Sequence, residues 1–280
     1  MEYQGICQKM RASINSVSHD TPSHVEYKFV LDQFNTDLMR LINQDIQLEW
    51  TGRIFCLSCG AKTAKSYSQG HCFKCFKTKA ACDMCILKPE TCHHHLGTCR
   101  EESFAQSVCF QPHIVYLANS SALKVGITRQ VNMPTRWLDQ GATQALPIMQ
   151  VSSRRMSGQV EILLAEMISD KTDWRKLLKG EAAPLDLHEE KEHILDQFQF
   201  ELGELAHQYD EEEITYLNTA TTQEFIYPVE HYPEKIKSHN LDKTPLIQGK
   251  LNGIKGQYLL LDTGVINIRK YSGYEIILRG

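Results

Sequence analysis

Apolar and polar residues alternate in several short segments of the chain, which is the pattern of half-buried β-strands. Near the N-terminus this alternation predicts strands over 24–32 and 46–50. Near the C-terminus it predicts short antiparallel strands over 257–262, 265–270 and 274–278. We expect the C-terminal strands to form a small β-barrel or sheet, which the N-terminal strands help to complete.

The middle of the chain switches between strand and helix periodicity. The elements predicted there are a strand over 114–118, a turn over 119–121, a strand over 123–127, a helix over 134–140, a strand over 147–152 and a helix over 158–170. Strands and helices that alternate within one short segment are typical of a compact α/β unit.

A longer helical pattern covers residues 188–213. Apolar side chains recur there at helical spacing, at Ile194, Leu195, Phe198, Leu202, Leu205, Ala206 and Tyr209. The positions between them are rich in aspartate and glutamate. This pattern predicts an acidic amphipathic helix with one buried face and one solvated face.

The composition is that of an ordinary globular protein. Of the 280 residues 42% are hydrophobic and 23% are charged, and no apolar run reaches the length of a membrane helix. Residues 1–20 are polar and lack the basic, apolar and small-residue parts of a secretory signal. We therefore expect a soluble cytoplasmic protein that does not interact with a membrane.

Cysteine usage points to metal. The chain has ten cysteines, and eight of them lie between Cys56 and Cys99, a density that indicates metal binding in a reducing compartment. Cys56 and Cys59 form one C-x-x-C pair, and after twelve residues Cys72 and Cys75 form a second. Two such pairs can hold one tetrahedral zinc ion. Nearby Gly60 and Gly70 would permit the tight turns that this requires.

A second four-ligand set follows the first. Its predicted members are Cys82, Cys85, Cys92 and Cys99. Several neighbours are close enough in sequence to replace one of these cysteines, namely His93, His94, His95, Cys109 and His113. Eight cysteines for two ions favour closed, structural zinc sites, and the alternatives are an open catalytic zinc site or a set of buried free thiols.

Charge is distributed unevenly along the chain. The net charge is −3 for residues 1–50, +8 for residues 51–180, −12 for residues 181–243 and +3 for residues 244–280. Eight thiolates and two zinc ions would cancel the positive charge around the cysteines, which leaves the α/β unit as the basic part of the chain. This unit is the part that we expect to contact nucleic acid.

Short motifs in the α/β unit resemble the GIY-YIG nuclease superfamily. They are Val115-Tyr116-Leu117, Lys124-Val125-Gly126-Ile127-Thr128, Arg136-Trp137 and, on the later helix, Glu161. The second motif is closest to the K-I-G-x-T of the phage-type branch. The whole chain, with G-T-C-R at 97–100 and G-I-K-G-Q-Y at 253–258, also resembles a bacterial family catalogued as domain of unknown function 2797.

The GIY-YIG resemblance implies hydrolysis of a phosphodiester. By resemblance, Tyr116 would activate water, Arg136 would contact the scissile phosphate and Glu161 would bind one Mg²⁺ or Mn²⁺ ion. Lys124 replaces the second tyrosine of the superfamily and would contact phosphate, which makes it the fourth candidate residue. Gln140 stands where a histidine is often found. The changes at Lys124 and Gln140 argue against catalysis.

We therefore predict a mixed α+β protein with two structural zinc ions and a GIY-YIG-like domain. The predicted segments are a β-rich segment (1–52), a zinc-binding module (53–112), the GIY-YIG-like domain (113–180), an acidic helical segment (181–243) and a second β-rich segment (244–280). The expected function is binding of DNA or RNA with metal-dependent cleavage. The alternatives are a non-catalytic nucleic-acid-binding or regulatory protein, and a module that binds a protein partner.

Overall fold

Two β-sheets organise the chain in the computed structural model, which describes residues 1–15, 21–168, 172–209 and 214–280. The first sheet joins the two ends of the chain. Its strands, in spatial order and all antiparallel to their neighbours, are β1 (Glu2–Ile6), β14 (Tyr274–Arg279), β5 (Asp45–Ile54), β11 (Leu246–Lys255), β12 (Tyr258–Leu261) and β13 (Gly264–Asn267). The expectation that N-terminal strands complete the C-terminal sheet is confirmed.

The second sheet combines the α/β unit with the remaining N-terminal strands. Its main path runs through β2 (Arg11–Ile14), β3 (Ser23–Leu31), β10 (Gln223–Ile226), β8 (Gln144–Val151), β6 (His113–Asn119) and β7 (Leu123–Arg129). Two further strands join this path, β4 (Phe34–Asp37) beside β3 and β9 (Ile214–Tyr216) beside β8. The pairing of β10 with β3 is parallel, and the other pairings are antiparallel.

Strand β6 lies between β8 and β7 in the second sheet, and all seven of its residues are buried. Because side chains alternate along a strand, it contributes to two cores. Ile114 and Tyr116 belong to the core shared with the first sheet. Val115 and Leu117 belong to the core beneath the helices.

The helices are short. They are α1 (Phe73–Thr78), α2 (Glu102–Phe104), α3 (Thr135–Asp139), α4 (Arg154–Leu164), α5 (Trp174–Lys179), α6 (Leu187–Gln197) and α7 (Gln199–Tyr209). Helix α2 continues into a π-helical turn, Ala105–Cys109. None of the helices within the described ranges is long and apolar enough to cross a membrane.

Helix α4 begins one turn earlier than the predicted start at residue 158. The Ser153 side chain accepts a hydrogen bond from the backbone N–H of Met156 at 3.2 Å and so caps a helix that starts at Arg154. Met156, Val160 and Leu164 then face the second core. Residues 169–170, the end of the predicted helix, lie outside the described residues.

The acidic segment forms two helices where one was predicted. Phe198 separates α6 from α7, and its backbone leaves helical geometry at φ −103° and ψ 16°. Ile194, Phe198 and Leu202 are nevertheless all buried in the second core, so one apolar face runs across the break. Residues 210–213, also part of the predicted helix, lie outside the described residues.

Candidate metal centre and phosphate-binding site

The first cysteine set converges on one point. The Sγ atoms of Cys56, Cys59, Cys72 and Cys75 all lie within 4.8 Å of one another, and those of Cys59 and Cys72 are 3.8 Å apart. Tetrahedral coordination at the usual zinc–sulfur distance places two thiolates roughly 3.8 Å apart. These four cysteines can therefore bind a metal ion such as zinc.

Local backbone geometry brings these cysteines together. In the first turn the N–H of Gly60 donates to the Cys56 carbonyl at 2.8 Å, with Gly60 at φ +72°. Cys72 caps α1, and its Sγ accepts from the N–H of Cys75 at 3.5 Å. The N–H of Leu57 donates to the carbonyl of Gly70 at 2.7 Å and joins the two turns. Gly70 also has a positive φ, +118°, so the expected need for glycine at both turns is confirmed.

The members of the second predicted set occupy two different places. Cys85, Cys92 and Cys99 line a small cavity of about 20 Å³ together with Cys109. Cys82 is not among the described residues that line this cavity. Burial raises the pKa of Cys82, and a hydrogen bond with the Ser68 side chain, beside the first cluster, opposes that shift.

The histidines named as possible ligands already have polar partners or lie apart. His93 lies 2.7 Å from the Thr98 hydroxyl through Nδ1 and 3.5 Å from Asp83 through Nε2. His94 Nε2 lies 2.8 Å from a carboxylate oxygen of Glu102. His95 is exposed. Asp83, Cys85 and His93 form a second group of donor atoms within 4.8 Å of one another.

His113 lies at the start of β6, where the cysteine-rich region meets the second sheet. It is fully buried, and its Nδ1 lies 2.7 Å from the Gln111 carbonyl oxygen. Burial lowers the pKa of His113 to about 4, so the imidazole is neutral at pH 7.

Tyr116 and Lys124 meet at the side-chain oxygen of Gln140. The Tyr116 hydroxyl donates to Gln140 Oε1 at 2.8 Å, and Lys124 Nζ donates to the same oxygen at 3.0 Å. The Lys124 amine also donates to the Thr172 hydroxyl at 3.0 Å. Tyr116 is fully buried, and Lys124 is 3% exposed. These four residues form a buried polar cluster, which we call the Tyr116 cluster.

Gly126 leaves space for the Tyr116 ring. The two residues are paired directly across β6 and β7. A Cβ atom on Gly126 would lie 2.7 Å from the Tyr116 hydroxyl oxygen, closer than real side-chain contacts allow. Tyr116 can therefore occupy its position only because residue 126 is a glycine.

Arg136 and Glu161 flank this cluster from α3 and α4. Burial raises the pKa of Tyr116 to about 12, Arg136 lowers it by charge and by a hydrogen bond, and Glu161 raises it. Both charged side chains are half-buried, in contrast to the enclosed Tyr116. The structure thus brings Tyr116, Lys124, Arg136 and Glu161 into one region. Thr172 is a member that sequence reasoning missed, since nothing in its local sequence distinguishes it.

Two further arginines lie near Arg136. Burial lowers the pKa of Arg154 and of Arg269, and the positive charge of Arg136 lowers both further. Arg154 also donates from Nη2 to the carbonyl of Ile86 at 2.6 Å, which ties α4 to the cysteine-rich region. The region around Arg136 is therefore electropositive, with Glu161 as the carboxylate on α4.

The molecule is therefore a mixed α+β protein with a candidate zinc site and, separately, a buried polar cluster flanked by cationic side chains. A family model described as "Protein of unknown function (DUF2797)" matches residues 43–276. The chain belongs to that family, as the motifs at 97–100 and 253–258 indicated. No curated protein and no solved structure matched the chain.

Proposed function

We propose that this protein binds nucleic acid and hydrolyses a phosphodiester bond at the Tyr116 cluster, with a divalent metal ion at Glu161. The observation that carries the proposal is the convergence of Tyr116, Lys124, Arg136 and Glu161 from four separate elements. The resemblance of residues 114–170 to GIY-YIG nucleases is consistent with the same four roles.

The residues present suit the reaction. Hydrolysis needs a group that activates water, a cation at the phosphate and a carboxylate for the metal. Bound there, Mg²⁺ or Mn²⁺ would neutralise charge that develops on the phosphate. Glu161 supplies one half-buried carboxylate, and such ions commonly keep most of their ligands as water and phosphate. Arg136 orients the phosphate, and the Tyr116 oxygen accepts a hydrogen bond from the attacking water.

Lys124 places a positive charge next to the Tyr116 hydroxyl, since both groups donate to the same Gln140 oxygen. Its amine is held by Gln140 and Thr172, which fixes the ammonium close to the Tyr116 hydroxyl. A lysine so placed stabilises negative charge on phosphate or on the tyrosine oxygen. Gln140 orients both donors through one side-chain oxygen.

One observation favours a second function, phosphate binding without cleavage. Tyr116 is fully enclosed, its hydroxyl already donates to Gln140, and its pKa is raised to about 12. A hydroxyl in that state is a weak base for water. In this second function the half-buried Arg136 binds the backbone of a nucleic acid, and the enclosed Lys124 adds positive charge behind it.

The test uses reduced, zinc-replete protein and a panel of single-stranded, duplex and branched DNA and RNA, with Mg²⁺, Mn²⁺ or chelator. We expect binding that weakens steeply with salt and cleavage that requires the divalent ion. Glu161→Gln should abolish cleavage and leave binding intact or stronger, because a negative charge beside phosphate is lost. Glu166→Gln, on an exposed residue just after α4, is the matched control and should change neither.

The results of this experiment distinguish the hydrolase from the non-catalytic function. Arg136→Ala should weaken both binding and cleavage. Cleavage by Glu161→Gln at the wild-type rate would refute the hydrolase, and salt-sensitive binding without cleavage would establish the non-catalytic function. If no nucleic acid binds at low salt, the remaining reading is a module that docks on a protein partner through the acidic segment.

A further inference from the structure

Four cysteines from four separate turns surround the small cavity of about 20 Å³ beside α4. Cys85 lies in the turn Met84–Ile86, and Cys92 ends the turn Pro89–Thr91. Cys99 follows Gly97, which has a positive φ of +69°. Cys109 is the last residue of the π-helical turn after α2. A volume this small suits a single ion and not an organic ligand.

The other candidate ligands that line the cavity already have polar partners. Asp83 accepts from Arg100 Nε at 2.7 Å, which commits its carboxylate to an ion pair. His93 is held between Thr98 and Asp83, as described above. Cys82 is not one of the residues that line the cavity within the described ranges. Asp83, His93 and His94 line the same cavity as the four thiols, but each already has a polar partner. Unlike those of the first cluster, the four sulfur atoms are not all within 4.8 Å of one another, so a bound ion would draw them closer together.

We propose that Cys85, Cys92, Cys99 and Cys109 bind a second, structural zinc ion, and that Cys82 is not a ligand. Four thiolates make a closed tetrahedral site, the arrangement found in structural zinc proteins. The ion and its ligands carry a net charge of about −2, and the half-buried Arg154 guanidinium beside Cys85 and Cys109 offsets part of it. This inference does not depend on the proposed hydrolase.

The second zinc would also support α4. Arg154, the first residue of this helix, donates to the carbonyl of Ile86, next to Cys85. One turn further along α4, Gly158 packs so closely against the turn before Cys92 that a Cβ would lie 2.7 Å from both the backbone nitrogen of Glu90 and Cβ of Pro89. A zinc ion bound by Cys85 and Cys92 would fix both ends of the loop on which α4 packs.

The first experiment counts zinc by elemental analysis in purified, reduced full-length protein. Wild type and Cys82→Ser should each hold two zinc ions per chain, and Cys109→Ser should hold one. His93→Gln should keep two. The proposal is overturned if Cys109→Ser keeps two ions while Cys82→Ser or His93→Gln drops to one, or if wild type holds only one.

A second measurement needs no variant, in case Cys109→Ser does not fold. Cys85, Cys92, Cys99 and Cys109 are all partly exposed, so the informative quantity is the change in their rate of reaction with iodoacetamide when zinc is removed. Mass spectrometry should find all four protected in native zinc-loaded protein and modified after chelation. Modification of Cys109 in the native protein at the rate seen after chelation would refute its role as a ligand.

Discussion

The first cysteine cluster and the Tyr116 cluster are built in opposite ways. All four sulfur atoms of the first come from residues 56–75, on two turns and the start of one helix. The Tyr116 cluster takes side chains from β6, β7, the end of α3 and the segment before α5. In the first cluster Cys59 is exposed and Cys72 is partly so, whereas Tyr116 is fully buried.

This difference separates two sources of stability. None of the four cysteines belongs to a hydrophobic core cluster of the described residues, so we expect the fold around them to depend on metal coordination. The Tyr116 cluster depends on packing, since Gly126, Trp137 and the strands hold the ring, with the Tyr116 and Trp137 ring centroids 5.8 Å apart. Removing a zinc ligand should therefore unfold the region around the first cysteine cluster. Removing a polar group from the Tyr116 cluster should lower the free energy of unfolding by a smaller amount.

The largest effect is expected for Cys75→Ser. Structural zinc contributes on the order of 10 kcal/mol to folding of small zinc modules, so loss of one thiolate should release one zinc ion and unfold the segment around α1. Phe55 donates to the carbonyl of Gly273, so the melting temperature of the first sheet should fall as well. Elemental analysis and thermal unfolding measure both effects. Cys7→Ala, at a buried cysteine in the main core, is the control and should keep all zinc.

The next effect is a pH dependence at His113, where the two regions meet. Its pKa is lowered to about 4 in the folded protein, from an ordinary 6.5. Between pH 6.5 and 4 the unfolded chain binds one more proton than the folded chain, so the free energy of unfolding falls by roughly 3 kcal/mol as pH drops. Urea unfolding at several pH values measures this slope. His113→Gln should flatten it, and an equal slope in both proteins would contradict the assignment.

Gly126→Ala tests the packing of the Tyr116 cluster directly. The added methyl group would collide with the tyrosine ring, and we expect a loss of about 1–3 kcal/mol in the free energy of unfolding. Gly203→Ala is the matched control, because a Cβ there meets no atom within 4 Å and lies in α7. That change should stabilise the protein by roughly 0.5–1 kcal/mol. Equal effects at the two glycines would mean that Tyr116 is not packed as described.

The smallest effect is expected for Tyr116→Phe. It removes the hydroxyl that donates to Gln140 but keeps the ring, and Lys124 still donates to the same oxygen. We expect a loss of about 1 kcal/mol in the free energy of unfolding with zinc content unchanged. Chemical denaturation measures it. A loss as large as that for Cys75→Ser would erase the distinction between the two clusters.

Much of the local structure could be predicted from sequence. The strands over 24–32, 114–118 and 123–127 are confirmed within a few residues, because alternation of apolar and polar residues reflects burial of one or both faces. Helix boundaries were less accurate. The Ser153 side chain caps α4 and sets its start, and the backbone at Phe198 divides the acidic segment, and periodicity alone shows neither.

The sequence by itself determined the first metal site, since the ligands, the spacing and the glycines of both turns lie within twenty residues and need no distant partner. Only the tertiary structure decided which cysteines surround the second cavity, because Cys82 is closer in sequence to Cys85 than Cys109 is to Cys99, yet Cys109 lines the cavity and Cys82 does not. It also decided that Gln140 and Thr172 hold Lys124. Side chains from distant elements meet through sheet pairing and packing, and the local pattern of a sequence carries little information about either.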